Sequence, residues 1–138
     1  MQGGTHRRRL CIVMVCDDLS EAAEVSHQLS KLNIGTLITY RRAEDAMTYS
    51  PAGKVALIIL ACGEKPDVVR HTLKWMRHRW PHCPLVVIGQ SGGSAMEMAA
   101  RTGGASYLTR PVQADQWTGL LQHVLSGQER KVSEGRLG

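Results

Sequence analysis

No stretch of this 138-residue chain comes near the ~20 consecutive apolar residues that a membrane-spanning helix needs. The amino terminus, MQGGTHRRRL, has basic residues followed only by the short run LCIVMVC, with no small-residue cleavage signal, so no secretory leader is read there. Cysteine is sparse and unpaired in pattern. Cys11, Cys16, Cys62 and Cys83 form no CxxC motif, and three of them fall in or beside apolar strand-like runs, which suits buried thiols in a reducing compartment. These absences set aside a membrane protein and a disulfide-stapled secreted domain, and lead us to expect a cytoplasmic one.

An excess of charge is also missing from most of the chain. The net charge is +5, but residues 1 to 9 and 128 to 138 hold six of the 17 Lys and Arg and two of the 12 acids. That leaves 11 basic residues against 10 acidic ones, so a nucleic-acid face would have to come from the tails or from local clustering. What is present is an ordinary apolar content of 43% and a length that suits one domain with one sizeable core. We expect a basic N-terminal tail at 1 to 8, a domain at 9 to 127, and a C-terminal tail or linker at 128 to 138. In that last segment, QERKVSEGRLG has only Val132 and Leu137 as apolar residues and no period.

Short apolar runs alternate with stretches of helical spacing. The expected strands are LCIVMVC (10 to 16), TLITY (36 to 40), VALIIL (55 to 60), PLVVIG (84 to 89) and ASYLT (105 to 109). Between them, Ala22, Val25, Leu29 and Leu32 line a first helix, and a short second one spans 43 to 49 before Pro51. Pro66 opens a third, carried by Val69, Leu73, Met76 and Trp80 and ended by Pro81. Ser94 and Glu97 have capping-box spacing ahead of a fourth, with Gly103 after it, and Trp117, Leu120, Leu121, Val124 and Leu125 mark a fifth. Strict strand-helix alternation implies an α/β fold, a doubly wound (βα)5 sandwich with a parallel five-stranded sheet. Functional groups of such sheets gather at the carboxyl ends of the strands, here Asp17-Asp18, Ala61-Cys62-Gly63, Gly89-Gln90-Ser91 and Arg110-Pro111.

The order and spacing of four segments, VCDD, ALIIL, HCPLVVIG and GGASYLTRP, resemble a response-regulator receiver domain of the CheY-like kind, from residue 9 to about 126. The resemblance implies the flavodoxin-like, CheY-like strand order 2-1-3-4-5 and phosphoryl transfer to an aspartate at the end of the third strand. An acid pair helps hold Mg²⁺, a Ser or Thr hydroxyl after strand four and a Lys before a proline contact the phosphoryl group, and a strand-five aromatic follows the switch. On this chain Asp17 and Asp18 match the acid pair and Tyr107 the aromatic. Arg110 stands in place of the Lys, before Pro111, the cis-proline candidate. Ala61 occupies the phosphoacceptor position and Gly89 that of the hydroxyl residue. A methyl group neither accepts a phosphoryl group nor ligates Mg²⁺, and Glu64 and Asp67 come too late to replace it.

The expectation is therefore a receiver-like domain that has lost phosphorylation. It would be no enzyme, with no cofactor and no tight Mg²⁺ binding, serving as a protein-interaction module in signal transduction or transcriptional control. Two rivals come from other classes. One is a phosphate- or nucleotide-binding protein using GQSGGS (89 to 94) and Arg110, although the loop lacks the Lys of a P-loop. The other is a nucleic-acid binder using the tails and the basic side of the third helix (Arg70, Lys74, Arg77, His78, Arg79), where no aromatic interleaves the charges. A zinc site from His71, His78, His82 and Cys83 is disfavoured by Pro81, which separates the two close histidines, and a Cys16–Cys62 redox pair by the lack of a nearby cation other than Arg110.

Three geometric expectations complete the reading. Asp18 should cap the first helix, with Glu21 three residues on, while Arg110 fills the vacated pocket and pairs with Asp17 or Asp18. Tyr107 should lean inward into the space beside Gly89, its ring covered by the fourth helix and its hydroxyl at the surface. The partner or homodimer face would be the fourth helix, fifth strand and fifth helix, with Met96, Arg101, Gln116 and His123 exposed on it.

Overall fold

Runs such as VALIIL and LVVIG have no polar face to turn to water, so they form stable strands only where both faces of a sheet are covered. A computed structural model, which describes residues 10–33, 35–61 and 63–137, has this arrangement. The elements in order are β1 (Leu10–Cys16), α1 (Leu19–Leu32), β2 (Gly35–Tyr40), α2 (Ala43–Thr48), β3 (Val55–Ala61), α3 (Pro66–Arg79), β4 (Leu85–Gly89), α4 (Ser94–Thr102), β5 (Ser106–Thr109) and α5 (Ala114–Leu137). All strand pairs are parallel, and the sheet order is β2-β1-β3-β4-β5, so the strand chemistry and topology expected from the sequence hold.

Each face of the sheet has its own core. Val25 and Leu29 of α1 and Trp117, Leu121 and Val124 of α5 cover Ile12, Met14, Leu57, Ile59 and Ile88. On the opposite face Ala46 of α2, Val69, Leu73 and Met76 of α3, and Ala100 of α4 cover Val13, Val15, Ile58, Leu60 and Val87. Every residue of β3 and of β4 is buried, whereas the edge strand β2 alternates half-buried and exposed positions. The central strands therefore place their carboxyl ends rigidly. No helix among the described residues is long and apolar enough to cross a membrane.

Two helix boundaries differ from the sequence reading. α4 does not use Ser94 as its cap: Gly93 takes that place, with the Glu97 amide donating to its carbonyl at 2.9 Å. Gly92, at φ 82, turns the chain in a way that only glycine does readily, and this brings Ser94 inside the helix. The second difference is at the carboxyl end, where α5 continues through the expected tail to Leu137. Its continuation follows from propensity. Gln128, Glu129, Arg130 and Lys131 are good helix formers, and extending a formed helix adds a hydrogen bond per residue without a new nucleus.

Candidate functional site

The site lies where β1, β3, β4 and β5 end. Cys16, the last residue of β1, is in the core at 5% exposure, whereas Asp17, one step past the strand and beyond the cover of the helices, is exposed. Asp18 then caps α1 as expected. Its backbone is extended (φ −108, ψ 107), and its Oδ1 accepts from the amides of Ser20 at 2.9 Å and Glu21 at 3.4 Å. One turn into the helix, Glu21 faces back over the strand ends, and it is this acid that Arg110 meets.

Arg110 Nε donates to Glu21 Oε2 at 3.1 Å and Nη2 to Oε1 at 3.2 Å, a two-point fork across the ends of three strands. The same Nη2 donates to the Ala61 carbonyl at 2.6 Å. The Arg110 amide in turn donates to Gly89 O at 2.8 Å, so backbone and side chain both tie β5 to its neighbours, and Arg110-Pro111 is the cis peptide expected from the sequence. The expected pairing with Asp17 or Asp18 is thus corrected. Asp17 is exposed and acts on the guanidinium only through its charge, Asp18 is occupied with helix amides, and Glu21 is the acid hydrogen-bonded to it, with side-chain exposures of 12% for the acid and 23% for the arginine. Burial opposes the arginine's charge, but the hydrogen bonds and charge of Glu21 outweigh it and the pKa rises. Burial pushes the Cys16 thiol up most, the hydrogen bond to the Asp18 backbone opposes it next, and the charges of Glu21, Asp18 and Asp17 add to the rise. Cys16 is therefore a protonated, poorly nucleophilic thiol, and Cys62 lies outside the described residues.

Next to this corner Tyr107 leans over Gly89. A Cβ built on Gly89 would collide with the Tyr107 hydroxyl and lie 3.0 Å from Cε1 and Cζ of the ring. The phenol occupies the space that any larger residue at 89 would claim. Its hydroxyl donates to Gln90 O at 3.1 Å, and its ring is half-buried with Met96 against the α3 and α4 core. The inward tyrosine with an outer hydroxyl agrees with the sequence expectation. Burial first, and then the charge of Glu97, push its pKa up, while Arg110 opposes.

No protein-family model matches the chain, and no curated protein is similar to it in sequence. Solved structures do match. The CheY-like protein tadZ of Pseudomonas aeruginosa superposes with a TM-score of 0.70 at 16% identity, over 84% of this chain and 99% of that one. A response regulator from Thermotoga maritima gives 0.74 at 16% identity, over 86% and 98%. The fold is that of a response-regulator receiver domain. NtrX from Brucella abortus gives 0.75 at 21% identity over 93% of this chain, which matches 29% of the length of NtrX. At these identities the likeness establishes the receiver fold and not an activity.

A receiver fold implies Mg²⁺ at this corner, and the residues present do not fit it. Ala61 has no carboxylate, Asp18 Oδ1 is engaged by two amides, and the guanidinium of Arg110 places a positive charge beside the strand ends. Among the described residues no group of three His, Cys, Asp or Glu is placed to hold a metal ion.

The four residues expected on a partner face divide. Met96 is half-buried against the same core as Tyr107, and Met98, exposed at 68%, is the methionine that faces solvent. Arg101 is exposed but held by Glu97, with Nε and Nη2 at 3.1 and 2.7 Å from Oε2. Gln116 is exposed and accepts from the Gln113 amide, and His123 is exposed. The GQSGGS loop is bonded to itself and to Tyr107 through Gln90 O. Glu21 is the residue that sequence reasoning used only as a capping partner. Its signal was an acid three residues after an N-cap, a position from which the side chain reaches back over the strand ends.

Proposed function

We propose that this chain is a phosphorylation-independent receiver domain, held in one conformation by its own side chains and acting in signalling through protein contact rather than phosphoryl transfer. One observation carries the reading: Arg110 lies across the end of β3, bonded to the Ala61 carbonyl and to Glu21, where a receiver would hold its phosphoacceptor carboxylate and metal. The fold likeness to response regulators supports the signalling context. With Gly89 in place of a hydroxyl residue, Tyr107 is already inward and needs no phosphoryl group to draw it there. The face formed by α4, β5 and α5, with Met98, Arg101, Gln116 and His123 outward, then has a fixed shape for a protein partner or a second copy.

The test is exposure to acetyl phosphate with Mg²⁺, and separately to beryllofluoride with Mg²⁺. Intact mass and backbone NMR shifts are expected to stay unchanged. A gain of one phosphate on an acidic side chain, or shifts spreading to Tyr107 with beryllofluoride, would overturn the reading.

A further inference from the structure

The inner side of α3 is accounted for: Val69, Leu73 and Met76 are buried. One flank is also engaged, since Arg77 Nη2 donates to Gly104 O at 2.8 Å and Gly103 O at 3.4 Å at the end of α4. The opposite flank meets α2 in part but leaves large side chains open. At 3.6 residues per turn Val68, His71 and Trp75 fall along one side of the helix away from Arg77. Val68 is 42% and Trp75 47% exposed, and the His71 and Trp75 rings meet at 5.6 Å between centroids. Single exposed apolar residues are ordinary, but here an indole, an imidazole and an isopropyl group follow one another on one helix.

This stripe lies in a cationic setting. α3 carries Arg70, Lys74, Arg77 and Arg79 against one acid, Asp67, which is paired with Arg70 at 2.9 Å. No ion pair among the described residues involves Lys74 or Arg79, which flank Trp75 in the helix, and Arg79 only stacks over Trp80. The charge decides among occupants. A second copy offering the same face would set cation against cation, and the amino-terminal segment with Arg7, Arg8 and Arg9 has the wrong sign. Trp75 does stand among these cations, contrary to the expectation of no interleaved aromatic, but a duplex backbone would leave the indole and valine without apolar cover, and a single strand stacking its bases on the indole would still leave the Val68 isopropyl group without an apolar partner. The remaining complement is acidic and apolar at once.

We propose that this flank of α3 docks a short acidic amphipathic segment of a partner protein, its apolar side chains covering Val68, His71 and Trp75 and its carboxylates meeting Lys74 and Arg79. The proposal rests on reading the domain as a contact module, and gives it a surface distinct from α4, β5 and α5. Arg and Trp are the residue types that most often carry binding energy at such interfaces.

The experiment is a fluorescence-anisotropy titration of a labelled synthetic helical peptide with Leu along one face and Glu elsewhere. A peptide of the same composition in shuffled order and a short DNA duplex serve as comparison probes. The ordered peptide is expected to bind saturably and more tightly than the shuffled one. Its affinity should fall about tenfold or more in both W75A and K74E/R79E and stay unchanged in R101E. All three variants alter exposed side chains and should stay folded, with R101E and K74E/R79E melting only a few degrees lower, because the Glu97 ion pair is lost in the first and an acid enters the last turn of α3 in the second. Equal binding of ordered and shuffled peptides, or W75A binding like wild type, overturns the proposal. Tighter binding of the duplex, lost in K74E/R79E and kept in W75A, overturns it in favour of nucleic acid, and loss of peptide binding in R101E moves the surface to α4. A protein that binds the peptide through Trp75 yet gains a phosphate keeps this surface and sinks only the phosphorylation-independent reading.

Discussion

The ends of β3 and β4 meet the same difficulty, a small residue at a position that leaves space open, and they resolve it by different physics. At β3 the space beside Ala61 is closed by charge: Arg110 reaches over to Glu21 and to the Ala61 carbonyl. At β4 the space beside Gly89 is closed by shape, with the ring of Tyr107 laid where a side chain would stand. The ionic closure is directional and depends on one partner, so it fails when either partner is removed. The steric closure rests on the bulk of the ring, with one hydroxyl bond to Gln90 O, and fails when the ring is truncated or something larger is put in its place.

That contrast orders the expected effects. Arg110→Ala should be the most damaging, at about 2 kcal/mol in urea unfolding, because it leaves a mostly buried Glu21 carboxylate and a backbone carbonyl without their donor. Arg110→Lys should recover only part, since an ammonium lacks the fork. If Arg110→Ala unfolds with the wild type, the β3 end is not closed by charge.

Gly89→Thr should cost somewhat less, about 1 to 2 kcal/mol, and should do so by expelling Tyr107, visible as a change in its ring NMR signals. A companion measurement uses pH. Burial raises the Tyr107 pKa in the folded state, so its contribution to stability is whole below the ordinary phenol value of ~10 and is lost as pH rises through the folded value. Tyr107→Phe should therefore lose less stability than the wild type above about pH 10, and Gly89→Thr, with the phenol outside, should behave like Phe. An identical alkaline loss in all three would place the ring outside already.

Asp18→Ala should remove the α1 cap for about 1 kcal/mol, and Asp17→Asn should change stability by less than about 0.5 kcal/mol. A large cost for Asp17→Asn would mean that Arg110 exchanges its partner for the neighbouring acid.

Why the sequence showed some of this and hid the rest can be traced residue by residue. The sheet was legible because the apolar runs of β1, β3 and β4 have no solvent face, and the packing stripes of α1, α3 and α5 because Leu29, Leu73 and Trp117 repeat at helical spacing. That Ala61 offers no carboxylate and that Gly89 leaves room beside it were legible too, since each follows from what a small side chain lacks. The partner of Arg110 was not. Asp17 and Asp18 are adjacent to the strand end in sequence, but the first lies exposed past the end of β1 and capping occupies the second, while Glu21 comes into reach only once a helical turn is formed. The Ser94–Glu97 spacing misled for a comparable reason: Gly92 and Gly93 make the turn first, and Glu97 is then free to hold Arg101.

The bond from Arg77 to the Gly103 and Gly104 carbonyls also governs local opening. Gly104, at φ 79, has Arg77 Nη2 2.6 Å from where a Cβ would stand, so the guanidinium fills that turn as well as bonding it. α3 cannot unwind at its last turn without releasing the carbonyls that lead into β5, and Tyr107 lies only three residues on. Hydrogen exchange at the end of α3 and in the turn before β5 should then share one opening free energy, so that whatever clamps α3 also slows exchange beneath Tyr107.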